Sequence, residues 1–315
     1  MISFRYHIVS VVSVFLALAI GVALGGGPLR GEVDRTLVEQ VEADRRAKAD
    51  LRSQITALGS GNDFTDSFAA GVAPRLIDGE LTDRPVTMLV LPGAREAVVS
   101  SLGELVETAG GSVAGVIRVG EELVDVGNRQ LVDQLGSQLL DGIPDVTVPE
   151  DAGTYERLGA VLARAAVTDD DAGAPVDEAA GSILSGLSTA NLLSPVGELT
   201  RRGSLVLVVA GPTADDASTR EGASAVVSSL AATLDGATDG VVVAGPISAA
   251  RAGGVVDAVR REVVISQDVS TVDTLDRVPG QVVAVMALAE QSRGDVGHYG
   301  SVDASDGVMP GPAPE

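Results

Sequence analysis

The hydrophobic and polar positions divide the chain into three stretches of different periodicity. From Ile8 to Leu24, 17 consecutive residues carry no charge, and only Ser10, Ser13 and Gly21 fall outside the apolar set. At 1.5 Å per residue that run spans ~26 Å, or ~33 Å if it continues to Leu29, against a hydrocarbon core of ~30 Å. The pattern predicts a transmembrane anchor over residues 1–28. The rival reading is a cleaved signal peptide, with Arg5 as the charged start and Ala23-Leu24-Gly25 as a small-x-small cleavage site. The length of the run favours an uncleaved anchor. Gly25-Gly26-Gly27-Pro28 at its exit is a flexible break and not a phosphate loop, because no strand precedes it and Pro28 lacks an amide donor.

The second stretch, residues 29–58, repeats every seven residues. Asp34, Val41, Lys48 and Ile55 take position a of a heptad, and Leu37, Asp44, Leu51 and Leu58 take position d. Five of these eight are apolar, and Asp44 with Lys48 forms a central polar layer of the kind that sets register and partner number. A short coiled-coil stalk is expected, joining a homo-oligomer or a heteromeric partner. A solitary amphipathic helix packed on its own domain fits the same pattern. Gly59-Ser60-Gly61-Asn62 is expected to end this helix.

From residue 59 the pattern changes to short, continuously apolar runs: Val86–Leu91, Val113–Ile117, Leu205–Ala210 and Val241–Ala244. Between and after them lie helical patterns at 94–108, 128–140, 155–166, 218–234, 249–261 and 281–291. Apolar strands alternating with helices predict an α/β domain with a mostly parallel sheet covered on both faces, over residues 59–300. Asp169-Asp170-Asp171 followed by Ala172-Gly173-Ala174-Pro175 suggests a solvated linker and a subdivision near 167–178. It lacks the alternating ligands of a calcium loop. Two strands end in the same phrase, Ala210-Gly211-Pro212 and Ala244-Gly245-Pro246. Residues 301–315, with three prolines and no apolar run, are expected to form a disordered tail.

Charge separates the same three stretches. Residues 1–28 carry one base and no acid, and residues 29–58 carry six of each. Residues 59–315 carry 15 bases against 38 acids, which concentrates the chain's net charge of -22 in the α/β domain. So acidic a surface argues against nucleic acid as a partner, since phosphate binding needs a basic face. With no cysteine, disulfides, thiolate metal sites and thiol catalysis are excluded.

No strand end carries G-x-G-x-x-G or G-x-x-x-x-G-K-[ST], and in both Gly-Pro turns the proline spoils a backbone phosphate cradle. Asp215-Asp216 is better read as a cap on the following helix. No G-x-S-x-G nucleophile elbow appears, and beyond the anchor His298 is the one histidine. These features predict a protein with no catalytic residues and no cofactor. The most distinctive local phrase is Gly297-His298-Tyr299-Gly300, which reads as a tight turn tucking two bulky side chains against the domain.

The opening Met1-Ile2-Ser3-Phe4-Arg5-Tyr6-His7 before an apolar run, the heptads, and the Gly297-His298-Tyr299-Gly300 ending resemble the MctB family of actinobacterial envelope proteins. The resemblance covers the whole chain, its two termini being specific and its middle generic. It implies copper transport, a mycobacterial member being described as an outer-membrane pore that lowers intracellular copper. A corynebacterial relative, SteB, implies instead a role in cell separation, with a SteA-like partner and control of a peptidoglycan hydrolase. The family also implies a cytoplasmic N-terminus and an extracytoplasmic domain at the cell membrane, a topology that charge counting leaves open.

The residues themselves sit uneasily with copper. Copper(I) prefers Cys and Met sulfur and copper(II) favours imidazole. The chain has no Cys, four Met (Met1, Met88, Met286, Met309) and two His (His7, His298). With Met88 and Met286 in expected buried elements, His298 and Met309 remain as weak candidates for a metal. One apolar helix cannot line a channel, and no alternating ten-residue strands of a lipid-facing barrel appear. Two functions follow. The first is a non-enzymatic envelope scaffold whose anchor and coiled coil position the acidic domain for partner binding. The second is copper homeostasis, through an oligomer or indirectly.

Overall fold

The computed structural model describes residues 4–25 and 29–311, with side chains of the second helix described from Glu39 onward. It comprises two compact units that meet between Phe64 and Thr65.

In the first unit, α1 (Phe4–Gly25) is a 22-residue helix with every side chain exposed. It is long and apolar enough to cross a membrane, at ~33 Å for its length. Of the expected break, Gly25 is the last residue of α1, while residues 26–28 lie outside the described residues, as do residues 1–3. The second helix, α2, runs Leu29–Ile77, so Gly59-Ser60-Gly61-Asn62 does not end it. A helical glycine costs only ~1 kcal/mol relative to alanine, which the residues that follow can offset. Within the second unit, Ala69, Ala73 and Ile77 recur at helical spacing and are buried. There Asp66 accepts from the Val278 backbone N–H (3.2 Å) and pairs with Arg277 (2.9 Å).

The second unit is the α/β domain. Its elements are β1 (Pro85–Val90), α3 (Glu96–Thr108), β2 (Ser112–Val119), α4 (Glu121–Val124), α5 (Arg129–Asp141), α6 (Thr154–Ala166) and β3 (Ala174–Pro175). There follow α7 (Glu178–Thr189), β4 (Leu193–Pro195), β5 (Arg201–Arg202), β6 (Leu205–Val209), α8 (Ala217–Asp235), β7 (Val241–Ala244) and α9 (Val255–Arg261). The domain closes with β8 (Ser270–Val272), α10 (Val278–Gln291) and β9 (His298–Tyr299). Among the described residues, seven strands form the main sheet in the order β4-β2-β1-β6-β7-β8-β9. Every neighbouring pair is parallel except β2 with β4, so the fold is mostly parallel α/β, as the apolar runs predict.

Alternate residues of each strand supply two cores. Leu89, Val206, Val208, Val241 and Val243 face α6, α7, α8 and α9. Val86, Met88, Leu207, Val242 and Val272 face α3, α10 and the end of α2. This two-sided cover is why the strands read as unbroken apolar runs. Each fully buried aliphatic side chain contributes roughly 1.5–3 kcal/mol.

Three expectations need correction. The helix expected over 249–261 is interrupted: a 3-10 turn at Ile247–Ala250 precedes α9, because Gly254 packs where a Cβ would come within 2.2 Å of the Ala249 carbonyl oxygen. The stretch expected as a linker leads into α7, capped by Asp177, which accepts from the Ala180 N–H at 2.8 Å. Residues 169–172 are exposed, as a solvated run should be, but Ala180, Ile183, Leu184 and Leu187 of α7 are buried in the same core as α6, so the expected subdivision does not fall there. Finally, the segment from 301 is tied down as far as it is described. The Gly300 N–H donates to the Gly307 carbonyl, the Asp306 N–H donates to the His298 carbonyl, and the Asp306 carboxylate accepts from the His298 N–H. Residues 312–315 lie outside the described residues.

Candidate functional site

In chain order the parallel strands occupy the sheet as 2-1-3-4-5-6, so the connections leave β1 in one direction and β6 in the other. Crevices in such sheets open at the carboxyl ends of the strands on either side of that reversal. Here the loops after β1, β6, β7 and β8 surround a cleft of about 540 Å³. Its lining includes Arg95, Pro212, Pro246, Ser248, Arg251 and Asp276. A narrower cavity of about 80 Å³ adjoins it, shares Ala210–Pro212, and reaches Arg220.

The repeated Ala-Gly-Pro phrases form part of this floor, and their glycines are there for packing. A Cβ on Gly211 would stand 2.4 Å from the Gly93 carbonyl carbon, and one on Gly245 would stand 2.7 Å from the Ala249 Cβ. Thr213 ties the β6 loop to the β7 loop by donating its hydroxyl to the Ser248 carbonyl at 2.6 Å. Asp216 caps α8, accepting from the Thr219 N–H at 2.9 Å, and these bonds with Ser218 and Thr219 hold its carboxyl down to about 2.

Three arginines converge on these loops. Arg95 donates to the Asp276 carbonyl and Arg220 to the Ala214 carbonyl, each at 3.2 Å. The Arg251 guanidinium makes no hydrogen bond among the described residues, and none of the three is ion-paired there. Reading strand ends for glycine motifs passes over these residues. The available signal is the appearance of Arg95 and Arg251 shortly after two strand ends in a domain with 15 bases and 38 acids.

The Gly297-His298-Tyr299-Gly300 phrase lies at the far edge of the sheet and forms β9, an added parallel strand, where a turn is expected from sequence. Its glycines are forced. A Cβ on Gly297 would come within 2.2 Å of the Tyr299 hydroxyl, and Gly300 has φ +136° with its Cβ position 2.2 Å from Asp273. Asp273 is fully buried and accepts from the backbone of Ser301 (2.7 Å) and Val302 (3.0 Å). Arg260 neutralises it at 2.9 Å and also donates to Thr271 and to the carbonyls of Tyr299 and Val302. Tyr299 is buried and donates to Glu290, and burial pushes its hydroxyl pKa upward.

His298 occupies this network through both ring nitrogens. Nδ1 lies 3.0 Å from the Thr271 hydroxyl and Nε2 lies 3.1 Å from the Ser266 carbonyl. Burial, helped by nearby Arg260, lowers its pKa. Met309 is about half exposed, Met88 is fully buried in β1, and His7 lies in α1. Among the described residues no group of three or more His, Cys, Asp or Glu is placed to hold a metal ion. Along α2, the seam residues Val41, Asp44, Lys48, Leu51, Ile55 and Leu58 are exposed, while the side chains of Asp34 and Leu37 lie outside the described residues.

These features define a doubly wound α/β protein that carries one apolar helix able to cross a membrane. Its resemblance to known proteins extends over nearly its full length. A family model described as "Copper transport outer membrane protein, MctB" matches residues 1–310, and the chain belongs to that family. The proteins named "Copper transporter MctB" of Mycobacterium tuberculosis and Mycobacterium bovis are each 29% identical to it, over 96% of both chains. Their namesake in Mycobacterium leprae is 27% identical over 95% of this chain and 96% of its own.

Proposed function

We propose that the chain is a single-pass envelope protein of copper homeostasis, with a cytoplasmic N-terminus and an extracytoplasmic acidic domain. In this reading it acts within an assembly, without catalysis and without a copper site of its own. The observation that carries the reading is the match to a copper-transport family from residue 1 to 310, anchor included. The donor chemistry supports the indirect mode. Both nitrogens of His298 are engaged within the fold, and the chain has no thiolate to offer copper(I). Copper titration of the purified full chain in detergent, paired with deletion of its gene, tests this. Copper hypersensitivity on deletion together with weak, unsaturable binding is the expected result. Tight stoichiometric binding would overturn the indirect mode, and normal copper tolerance would overturn the copper role.

A second reading, an interaction scaffold for cell separation with a SteA-like partner and a peptidoglycan hydrolase, is favoured by one observation. Val41, Leu51, Ile55 and Leu58 leave an apolar row exposed on α2, at the spacing of a coiled-coil seam. Under this reading the double substitution Leu51→Asp with Ile55→Asp abolishes crosslinked oligomers or partner co-purification from membranes. Deletion then gives chained, unseparated cells with normal copper tolerance. Unchanged crosslinking, or normal separation on deletion, would remove it.

A further inference from the structure

We propose that the cleft at the carboxyl ends of β1, β6 and β7 binds a small polyanion carrying phosphoryl or carboxylate groups, gripped by Arg95 and Arg251 and extended toward Arg220. The proposal is independent of the copper reading, since it uses none of the residues considered as metal donors.

The inference begins with how the domain spends its positive charge. Of the 15 arginines beyond residue 58, eight are ion-paired to carboxylates within the domain. That is the default in so acidic a protein, where a carboxylate is nearly always within reach. Three of the seven others stand together around the two adjoining cavities. Asp276 is the single carboxylate residue lining either cavity, and it holds Arg95 through its backbone carbonyl. Asp216, on the loop after β6, is consumed in capping α8. Three guanidinium groups with no carboxylate partner therefore line two adjoining cavities, while the domain's net charge would disperse anions elsewhere on its surface.

The form of the cleft narrows the ligand. A volume of about 540 Å³ falls in the range of small-molecule sites. Backbone recognition of phosphate is blocked on two of its loops, because Pro212 and Pro246 have no N–H and Gly211 is packed against the β1 loop. Recognition falls to side chains. Guanidinium forks match carboxylate and phosphoryl oxygens in pairs, and Arg95 and Arg251 come from different loops, so a ligand with at least two anionic groups engages both. The Ser248 and Thr213 hydroxyls, already bonded to each other's loop, brace the floor between them.

Pyrophosphate and citrate serve as probes, one for phosphoryl and one for carboxylate chemistry, added to the purified full chain and followed by calorimetry. Saturable binding of at least one is expected, weakening as salt is raised. The double substitution Arg95→Gln with Arg251→Gln should weaken it about tenfold or more, as loss of charge-assisted hydrogen bonds does. Arg129→Gln, remote from the cleft where its guanidinium lies over the Tyr155 ring, should leave affinity unchanged. A second measurement needs no variant. In the native chain, phenylglyoxal modification of Arg95 and Arg251, mapped by mass spectrometry, should fall when the bound probe is present. Absence of saturable binding by both probes, equal affinity in the double variant, or undiminished modification would overturn the proposal.

Discussion

The edge of the sheet and its central cleft use arginine in opposite ways. At the β8–β9 edge, Arg260 is nearly buried and shares its guanidinium among the Asp273 carboxylate, the Thr271 hydroxyl and two carbonyls. At the cleft, Arg251 is exposed and its guanidinium makes no hydrogen bond or ion pair among the described residues. The first arrangement is a structural joint, in which each partner is lost at a cost to folding. The second contributes almost nothing to the fold. The contrast teaches that position in an α/β sheet tells less about an arginine than whether its donors are already satisfied.

The largest expected effect falls on the joint. Asp273→Ala strands the Arg260 charge and removes the acceptor of two backbone N–H groups, so it should cost about 3–5 kcal/mol in urea unfolding. Gly300→Ala follows, at roughly 2–3 kcal/mol by the same measurement, since φ +136° and the Asp273 carboxylate both oppose a Cβ. A pH effect comes third. The His298 pKa is lowered in the fold, so the unfolded chain binds the extra proton, and stability should fall as pH drops below about 6.5. Asp235 opposes it: burial and nearby Asp268 raise its pKa to about 6, so the fold gains protons there as pH falls. The two contributions separate by comparing His298→Gln with the native chain at pH 7 and pH 5, where the variant should lose less stability. The smallest effect is at the cleft, where Arg251→Gln should change unfolding by less than about 0.5 kcal/mol. A large loss there would erase the distinction between the edge and the cleft.

Much of the architecture was legible in the residues. Val86–Leu91, Leu205–Ala210 and Val241–Ala244 announce buried parallel strands because both faces are apolar, and the helices after them keep a clear period. The edge strands are silent for the converse reason. In β8, Ser270 and Thr271 are polar yet fully buried, their hydroxyls satisfied by Gln291 and by Arg260, partners far away in sequence. β9 is two residues long, and only its neighbours make it a strand. The continuation of α2 past Gly59 and Gly61 was hidden because it rests on Ala69, Ala73 and Ile77 packing into the domain. In α7 the signal was present, an Asp cap followed by Ala180, Ile183, Leu184 and Leu187, but the acidic run before it suggested a linker. At the cleft, the Gly-Pro phrases mark two of the lining loops, whereas an arginine a few residues after a strand end has no sequence signature of its own.

Placing β9 at the sheet edge has a consequence for biosynthesis. Residues 297–302 are made after every other strand among the described residues, yet they supply partners that satisfy Asp273 and Thr271 and cover the open side of β8. A chain interrupted before them retains a buried carboxylate without its backbone donors and a bare sheet edge. The β8 edge is thus sealed only once residues 297–302 are in place.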